Sequence, residues 1–388
     1  MSKLDDLIKE LCPNGVEYKP LGEICGLLDN KRKPVTKASR IEGSYPYYGA
    51  NGIQDYVSEY IFDGTFLLVG EDGSVITKSG TPVVTWATGK IWVNNHAHII
   101  AEKKGVSLRY LFHFIQTIDI TALVHGNIPK LTGGDFKALM IPVPPLPVQE
   151  EIVRILDTFT SLTAELTAEL TARRKQYEYY RDSLLTFGDD VEWKTLKELS
   201  VHSCSGGTPL KNNSDYYKNG KIPWLRTGEV KFNEIFETEE FITELAVKET
   251  AAKWIPKNCV IVAISGATAG RCAINKIPLT TNQHCLNIEI NPTNALYKYV
   301  YYCIVNQQDE LLGKKEGARG DLNSSRILGL KIPIPSIKEQ QRIVSILDRF
   351  ESLCNDITSG LPAEIEARHK QYEYYRDKLL TFKRKEAV

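Results

Sequence analysis

The chemistry open to this chain sits in a few short runs of amides, cations and glycines. Asn94-Asn95-His96 and Asn282-Gln283-His284 each set two side-chain amides before an imidazole. An amide places a donor beside an acceptor, which matches N6 and N7 of adenine together; a polar turn after a strand is the structural alternative. Arg226-Thr227-Gly228 follows Pro223-Trp224, and its guanidinium suits guanine O6 and N7, with an ion pair to Glu229 as the alternative. Lys31-Arg32-Lys33 is a basic triplet, either a phosphate contact or a solvated loop. Lys130 ends the run from Gly126, and Arg319 lies in the matching run Gly317 to Asp321, so each copy carries a basic residue in the loop before the repeat. Ser265 to Arg271 is Gly-rich, so its backbone can come close to a phosphate, and Arg271 closes it.

Bond-breaking chemistry finds no comparable footing. The Ser265 to Arg271 run lacks the Gly-Lys-Ser/Thr ending of a nucleotide-binding loop. Asn291-Pro-Thr-Asn294 reads as a turn rather than a methyltransferase motif, and Glu192-Trp-Lys194 has no upstream Asp to complete a nuclease centre. Eight Cys include no Cys-x-x-Cys pair, and seven His form no H-E-x-x-H pair, so neither a metal site nor a cofactor is expected. Cys259, Cys272 and Cys285 fall in or beside strand-like runs, where buried thiols are the usual outcome.

The elements that must position these groups are duplicated. Lys175 to Phe187, KQYEYYRDSLLTF, returns as KQYEYYRDKLLTF at Lys370 to Phe382. Upstream, IPVPPLPVQEEIVRILDTF from Ile141 aligns without gaps on IPIPSIKEQQRIVSILDRF from Ile332, and the same shift pairs Leu131 with Leu322. Repetition of this length calls for one structural unit used twice. Apolar residues recur every three or four positions from Ile152 to Leu184, one stripe on a helix. Gln149 to Phe187 contains no Gly or Pro, and as one helix would run about 58 Å. The second copy carries Gly360 and Pro362, where a kink or break is expected. Each narrow stripe needs a helical partner, and the other copy is at hand.

The flanking segments open alike, Val16-Glu-Tyr-Lys19 against Val191-Glu-Trp-Lys194. Short runs at Thr65 to Val69, Val83 to Trp86, Cys259 to Ile264 and Cys285 to Ile290 read as strands, and Leu108 to Ile115 and Tyr297 to Val305 as helices. Trp86, Trp92, Trp224 and Trp254 read as packing residues. Leu4 to Leu11 precedes Val16 as Leu184 to Phe187 precedes Val191, so it stands in for the end of the other helix and brings the termini together. The expected fold class is α+β: two similar mixed α/β domains separated by two long antiparallel helices with circular pseudo-two-fold symmetry. The boundaries are 1–148, a first helix over 149–187, a second domain over 188–338 and a second helix over 339–388.

This order, with the VEYKPLGEI and VEWKTLKEL openings, the IP(V/I)P lead-ins, the QxxIVxILDxF starts and the KQYEYYRDxLLTF ends, resembles the specificity subunit of type I restriction-modification enzymes. Thr163-Ala-Glu-Leu166 followed by Thr167-Ala-Glu-Leu170 is similar to the spacer repeat of the IC subgroup. The resemblance implies two target recognition domains, each reading half of a bipartite double-stranded DNA site. It also implies helices that dock two methyltransferase (M) subunits, with restriction/translocase (R) subunits joining the larger complex, and no catalysis in the chain itself. A coiled-coil scaffold and a stand-alone DNA-modifying enzyme are the competing classes.

Charge alone does not suggest DNA. The chain has 48 basic and 48 acidic residues, and the balance holds within each segment, 15 and 15 over residues 1–148 and 18 and 17 over 188–331. Lone DNA binders usually carry a basic surplus, so partner subunits are expected to supply much of the phosphate clamp. No leader-like or membrane-spanning run is evident, which with unpaired Cys points to the cytoplasm.

Overall fold

The computed structural model describes residues 3–188, 190–313, 322–356 and 358–385. Six helices organise it: α1 (Lys3–Leu11), α2 (Leu108–Ile115), α3 (Leu146–Leu185), α4 (Tyr297–Asn306), α5 (Ile337–Asn355) and α6 (Leu361–Leu379). The chain divides into unit 1, residues 1–167 with 363–388, and unit 2, residues 168–362. α3 runs for 40 residues and starts three residues before Gln149. Pro147 is tolerated there because first-turn amides have no intrahelical acceptor to lose.

Unit 1 holds a six-stranded sheet in the order Gly26–Leu27, Ala97–Ala101, Phe62–Gly70, Val84–Val93, Glu42–Gly49, Gly52–Val57. Its one parallel pairing sets Tyr47 beside Trp92 and Tyr48 beside Val93. A separate antiparallel pair joins Tyr18–Pro20 to Met140–Pro142, with Lys19 opposite Ile141. The opening and the Pro-rich lead-in therefore meet as strands. α2 buries Tyr110, Leu111 and Ile115 in a core shared with Ile152 and Leu156 of α3 and Tyr372 of α6.

The end of α6 closes this unit. The Val16 N–H donates to the Lys383 carbonyl at 2.8 Å and the Lys385 N–H to the Val16 carbonyl at 2.9 Å, a parallel bridge centred on Val16 and Arg384. Leu380 is buried beside Val16 in the same core. The tail of α6 itself thus takes the place that sequence similarity suggested for Leu4 to Leu11. α1 is an additional helix, burying Leu4 and pairing Lys3 with Glu151 at 2.9 Å.

Unit 2 repeats the plan with a divided sheet. Five strands follow the order Ser200–Ser205, Cys285–Ile290, Val260–Ala263, Cys272–Asn275, Asn233–Ile235, and three the order Glu240–Ile242, Ile222–Leu225, Thr280–Thr281. Trp224 lies parallel to Thr280, as Tyr47 lies to Trp92 in unit 1. Glu192–Thr195 pairs with Lys331–Ile334, again opening against lead-in. α5 and α6 are separate helices. At the break, the Asp356 carboxylate accepts from the Thr358 N–H at 2.7 Å and from the Ser359 N–H at 3.2 Å. Gly360 lies so close that a Cβ would fall 2.6 Å from the Ser352 carbonyl oxygen. Among the described residues no helix is long and apolar enough to cross a membrane.

Candidate nucleic-acid interface

Each unit carries the same small turn where a strand paired in parallel leaves its sheet. In unit 1 the Asn94 N–H donates to the Tyr48 carbonyl at 3.1 Å. Its Oδ1 accepts from the His96 N–H at 2.8 Å, and the His96 carbonyl accepts from the Glu71 N–H at 2.8 Å. In unit 2 the Asn282 N–H donates to Leu225 at 3.0 Å, its Oδ1 accepts from the His284 N–H at 3.1 Å, and the His284 carbonyl accepts from Ile264 at 2.9 Å. The three bonds are equivalent one by one. Asn94 and Asn282 are only 3% and 7% exposed, and each spends its carbonyl oxygen on the turn. Asn95, His96 and Gln283 are exposed and His284 half-buried, so these are the side chains the turn displays.

In unit 1 the other candidates gather around that turn. Arg32 donates to the Asn95 carbonyl at 3.3 Å, to the Ala97 carbonyl at 2.7 Å and to the Glu71 carboxylate. Its neighbours Lys31 and Lys33 point to solvent, and Lys33 offers its carbonyl to the Trp92 indole at 2.6 Å. Lys130 is half exposed, 3.5 Å from Glu71, and His96 pairs with Asp72. The Leu131 N–H donates to the Glu71 carbonyl at 2.8 Å, tying the Lys130 loop to the same rim. Beneath it, His98 bonds Asp29 at 2.7 Å and the Leu131 carbonyl at 3.0 Å, with its ring stacked 4.2 Å from Phe136. Burial works against ionisation of Asp29, but bonds from His98 and the Ile99 N–H hold its carboxyl below the ordinary value.

Asp29, Glu71 and His98 bring ligand atoms within 4.8 Å of one another, a spacing that could hold a metal ion. The Arg32 guanidinium donates to Glu71 and lies 3.8 Å from Asp29, so the carboxylates already face a fixed cation. The trio does not fit a metal: a cation there would have to displace Arg32. All eight cysteines are unpaired and all but Cys204 buried, and burial pushes the Cys259, Cys285 and Cys303 thiols up to about 12.

In unit 2 the candidates converge similarly. Arg226 and Thr227 follow Leu225, the residue that accepts from Asn282. Arg226 is exposed and pairs with Glu240, not with Glu229, because the Glu229 carboxylate is spent on the backbone N–H groups of Arg226 and Glu239, at 3.0 and 2.9 Å. Arg271 is exposed at the end of the Gly-rich loop, its carbonyl accepting from Ala263 at 2.8 Å beside the Ile264 that bonds His284. Gly270 in that loop has a φ of 94°, a conformation that favours glycine. Thr208 donates to Gln283. Arg319 lies outside the described residues. The Leu322 N–H donates to the Ile264 carbonyl at 2.7 Å, as Leu131 does to Glu71. Of the tryptophans, Trp224 is buried while Trp254 is 52% exposed.

What sequence reasoning missed is how each sheet and its polar rim are held to a helix. In unit 1 the buried Gln149 accepts from the Ser107 N–H at 2.9 Å and donates to the Pro144 carbonyl at 2.7 Å. In unit 2 Gln340 accepts from the Leu296 N–H at 2.9 Å and donates to the Pro335 carbonyl at 3.0 Å. Asp157 accepts from Arg109 and His113, both at 2.8 Å, and Asp348 accepts from Lys298 at 2.9 Å and Tyr302 at 2.6 Å. A carboxylate only accepts, so His113 donates through Nε2 and its Nδ1 accepts from the Tyr372 hydroxyl at 2.9 Å. Burial pushes His113 down to about 4 despite the bond to Asp157. Tyr302 also reaches Glu351 at 2.6 Å. Burial, with the Asp348 charge, raises the Glu351 pKa. The signal was present in the repeated QxxIVxILDxF block, whose Gln and Asp are the docking residues.

Two like units, each presenting a polar rim on a helix-anchored sheet, define a duplicated recognition protein. A family model described as the type I restriction modification DNA specificity domain matches residues 13–173 and again 188–367. The chain belongs to this type I restriction-modification DNA specificity family. It is 39% identical over 381 residues to a Haemophilus influenzae chain named as a type I restriction enzyme specificity subunit, covering 95% of this chain and 96% of that one. It is 36% identical over 414 residues to the Escherichia coli EcoR124I/EcoR124II specificity subunit, covering 100% of both. The fold is shared with the S subunit of a type I restriction-modification system from M. genitalium, at a TM-score of 0.62, 16% identity and coverage of 94% and 96%.

Proposed function

We propose that this chain is the non-catalytic DNA-specificity subunit of a type I restriction-modification complex, reading a bipartite target with one half-site per unit. The observation that carries this is the duplicated turn, Asn94 to His96 and Asn282 to His284, which displays polar side chains at the same place in each unit. Lys33, Lys130, Asn95 and His96 serve the first half-site, and Arg226, Thr227, Arg271, Gln283 and His284 the second, with Arg319 a further phosphate contact. Asn94 and Asn282 hold the turns. Methylation and ATP-driven cleavage belong to M and R subunits, two M subunits docking on the helices, and the complex works in the cytoplasm on double-stranded DNA.

The Thr163 to Leu170 run makes α3 a spacer of the IC kind. One added TAEL unit lengthens a helix by about 6 Å, against about 3.4 Å per base pair, so it should widen the gap by one or two base pairs and leave both half-sites unchanged. The decisive experiment maps methylated adenines genome-wide in cells with and without the gene. A two-part motif that vanishes with the gene supports the reading; a single contiguous motif, or none, rejects it.

A further inference from the structure

Beside the Asn282 turn, unit 2 holds a cavity of about 690 Å³, within the range of small-molecule sites. One wall is aromatic: the half-buried Tyr217, and an edge of Trp224, which is only 4% exposed, its indole N–H held by the Gly207 carbonyl at 3.1 Å and its ring met edge-on by Tyr217 at 6.0 Å. Gly207 must be glycine for this approach, since a Cβ would fall 2.4 Å from the Ala251 backbone. Three cations line the space: Arg226, which is paired with Glu240, and Lys211 and Lys218, which are exposed and in no ion pair among the described residues.

The amide of Asn282 supplies the second observation. It is 93% buried, lines this cavity, and its Nδ2 donates no hydrogen bond among the described residues. In unit 1 the same amide is covered: Asn94 Nδ2 donates to Gln54 Oε1 at 3.3 Å. The space over Tyr47, the counterpart of Trp224, is only about 110 Å³ there, with Arg40 lying 4.1 Å above the ring. Unit 2 therefore has an open donor, an aromatic wall and two uncompensated ammonium groups where unit 1 is filled. A base needs a flat wall and polar edge partners, and a phosphate needs cations.

We propose that this cavity binds one nucleotide unit, its phosphate toward Lys211 and Lys218 and its base against the wall formed by Tyr217 and the edge of Trp224, facing Asn282 Nδ2. The unit comes either from a free nucleotide or, resting on the DNA-reading role above, from a nucleotide turned out of the target duplex. Extrusion costs a few kcal/mol of unstacking, which the cavity would offset. No bond is made or broken.

The test uses the full chain assembled with its methyltransferase partners. Deoxynucleoside 5′-monophosphates are titrated by calorimetry, with inorganic phosphate as control, on wild type and on Lys211→Ala/Lys218→Ala. Saturable binding at least 10-fold tighter than phosphate, weakened at least 10-fold by the double substitution, is expected. Displacement of the mononucleotide by a target duplex assigns the site to DNA; simultaneous binding assigns it to a free nucleotide. Absent binding, phosphate binding as tight, or indifference to the lysines overturns the proposal. Sequence-specific retention of the duplex, measured on the same samples, reports separately on the specificity role.

Discussion

Phe159 stacks on Tyr375 with ring centroids 5.2 Å apart and planes 17° apart. Phe350 stacks on Tyr180 in the other unit at 5.5 Å and 28°. The third tyrosine of each repeated helix foot, Tyr375 or Tyr180, thus stacks on the Phe that ends the QxxIVxILDxF block of the other copy. A double-mutant cycle on Phe159→Ala and Tyr375→Ala should give a coupling of about 0.5–1.5 kcal/mol, the usual value for an aromatic pair. Urea denaturation measures it, and a coupling near zero would mean the stack is incidental.

Gln149 and Gln340 make matching bonds, so their loss should be matched too. Gln149→Ala removes the partner of the Ser107 N–H and of the Gly105 and Pro144 carbonyls inside the protein, a cost of about 2–3 kcal/mol, and Gln340→Ala, which loses the two matching bonds, should cost about 1–3 kcal/mol in unit 2. Two-transition thermal melts would assign each loss; an effect confined to one copy contradicts equivalent docking.

His113 makes unit 1 acid-sensitive. Its folded pKa of about 4 lies below the ordinary imidazole value of 6.5, so the unfolded chain binds more protons between those limits. The contribution is complete above about pH 7 and falls as pH drops toward 4, by at most about 3 kcal/mol. Tyr302 stands in its place in unit 2 and does not titrate there. Stability measured from pH 7.5 to 4.5 should drop for unit 1, and His113→Gln should flatten the drop; an unchanged slope in the variant would reject His113 as the source.

Half-site specificity should follow the displayed turn residues unit by unit. Asn95→Ala with His96→Ala should relax the first half-site only, and Gln283→Ala with His284→Ala the second only, by about 1–3 kcal/mol per lost base contact. Lys33→Ala should weaken binding to all sequences and reduce the salt slope by about 0.9. Methylation-site sequencing and salt-dependent binding read these effects, and relaxation of both half-sites by either pair would refute the assignment.

The parts legible in the sequence were those written locally or twice. α2 and α4 follow from their own periodicity, and the break before α6 follows from Gly360 and Pro362. The equivalence of the two turns was visible because Asn and His recur in the same order. What escaped depends on partners far along the chain. Arg32 reads as one cation of three until Glu71 and Asp29 fold around it, and Arg226 takes Glu240, 14 residues away, because the nearer Glu229 is spent on backbone. Asn282 and Asn94 cannot be told apart by type; Gln54 covers one and not the other. Lys211 and Lys218 are ordinary surface lysines in the sequence and gain meaning only from the cavity they border.

The bridge between Val16 and Arg384 also bears on synthesis. Unit 2 is one uninterrupted stretch, whereas unit 1 is made of the first residues and the last. On the ribosome the first-made segment must wait for residues 168–362 to be added, roughly 10 to 40 s at about 5–20 residues per second. During that interval the core positions reserved for Tyr372 and Leu380 stand open. The unit begun first is finished last, so its core stays incomplete and its apolar face uncovered until α6 emerges.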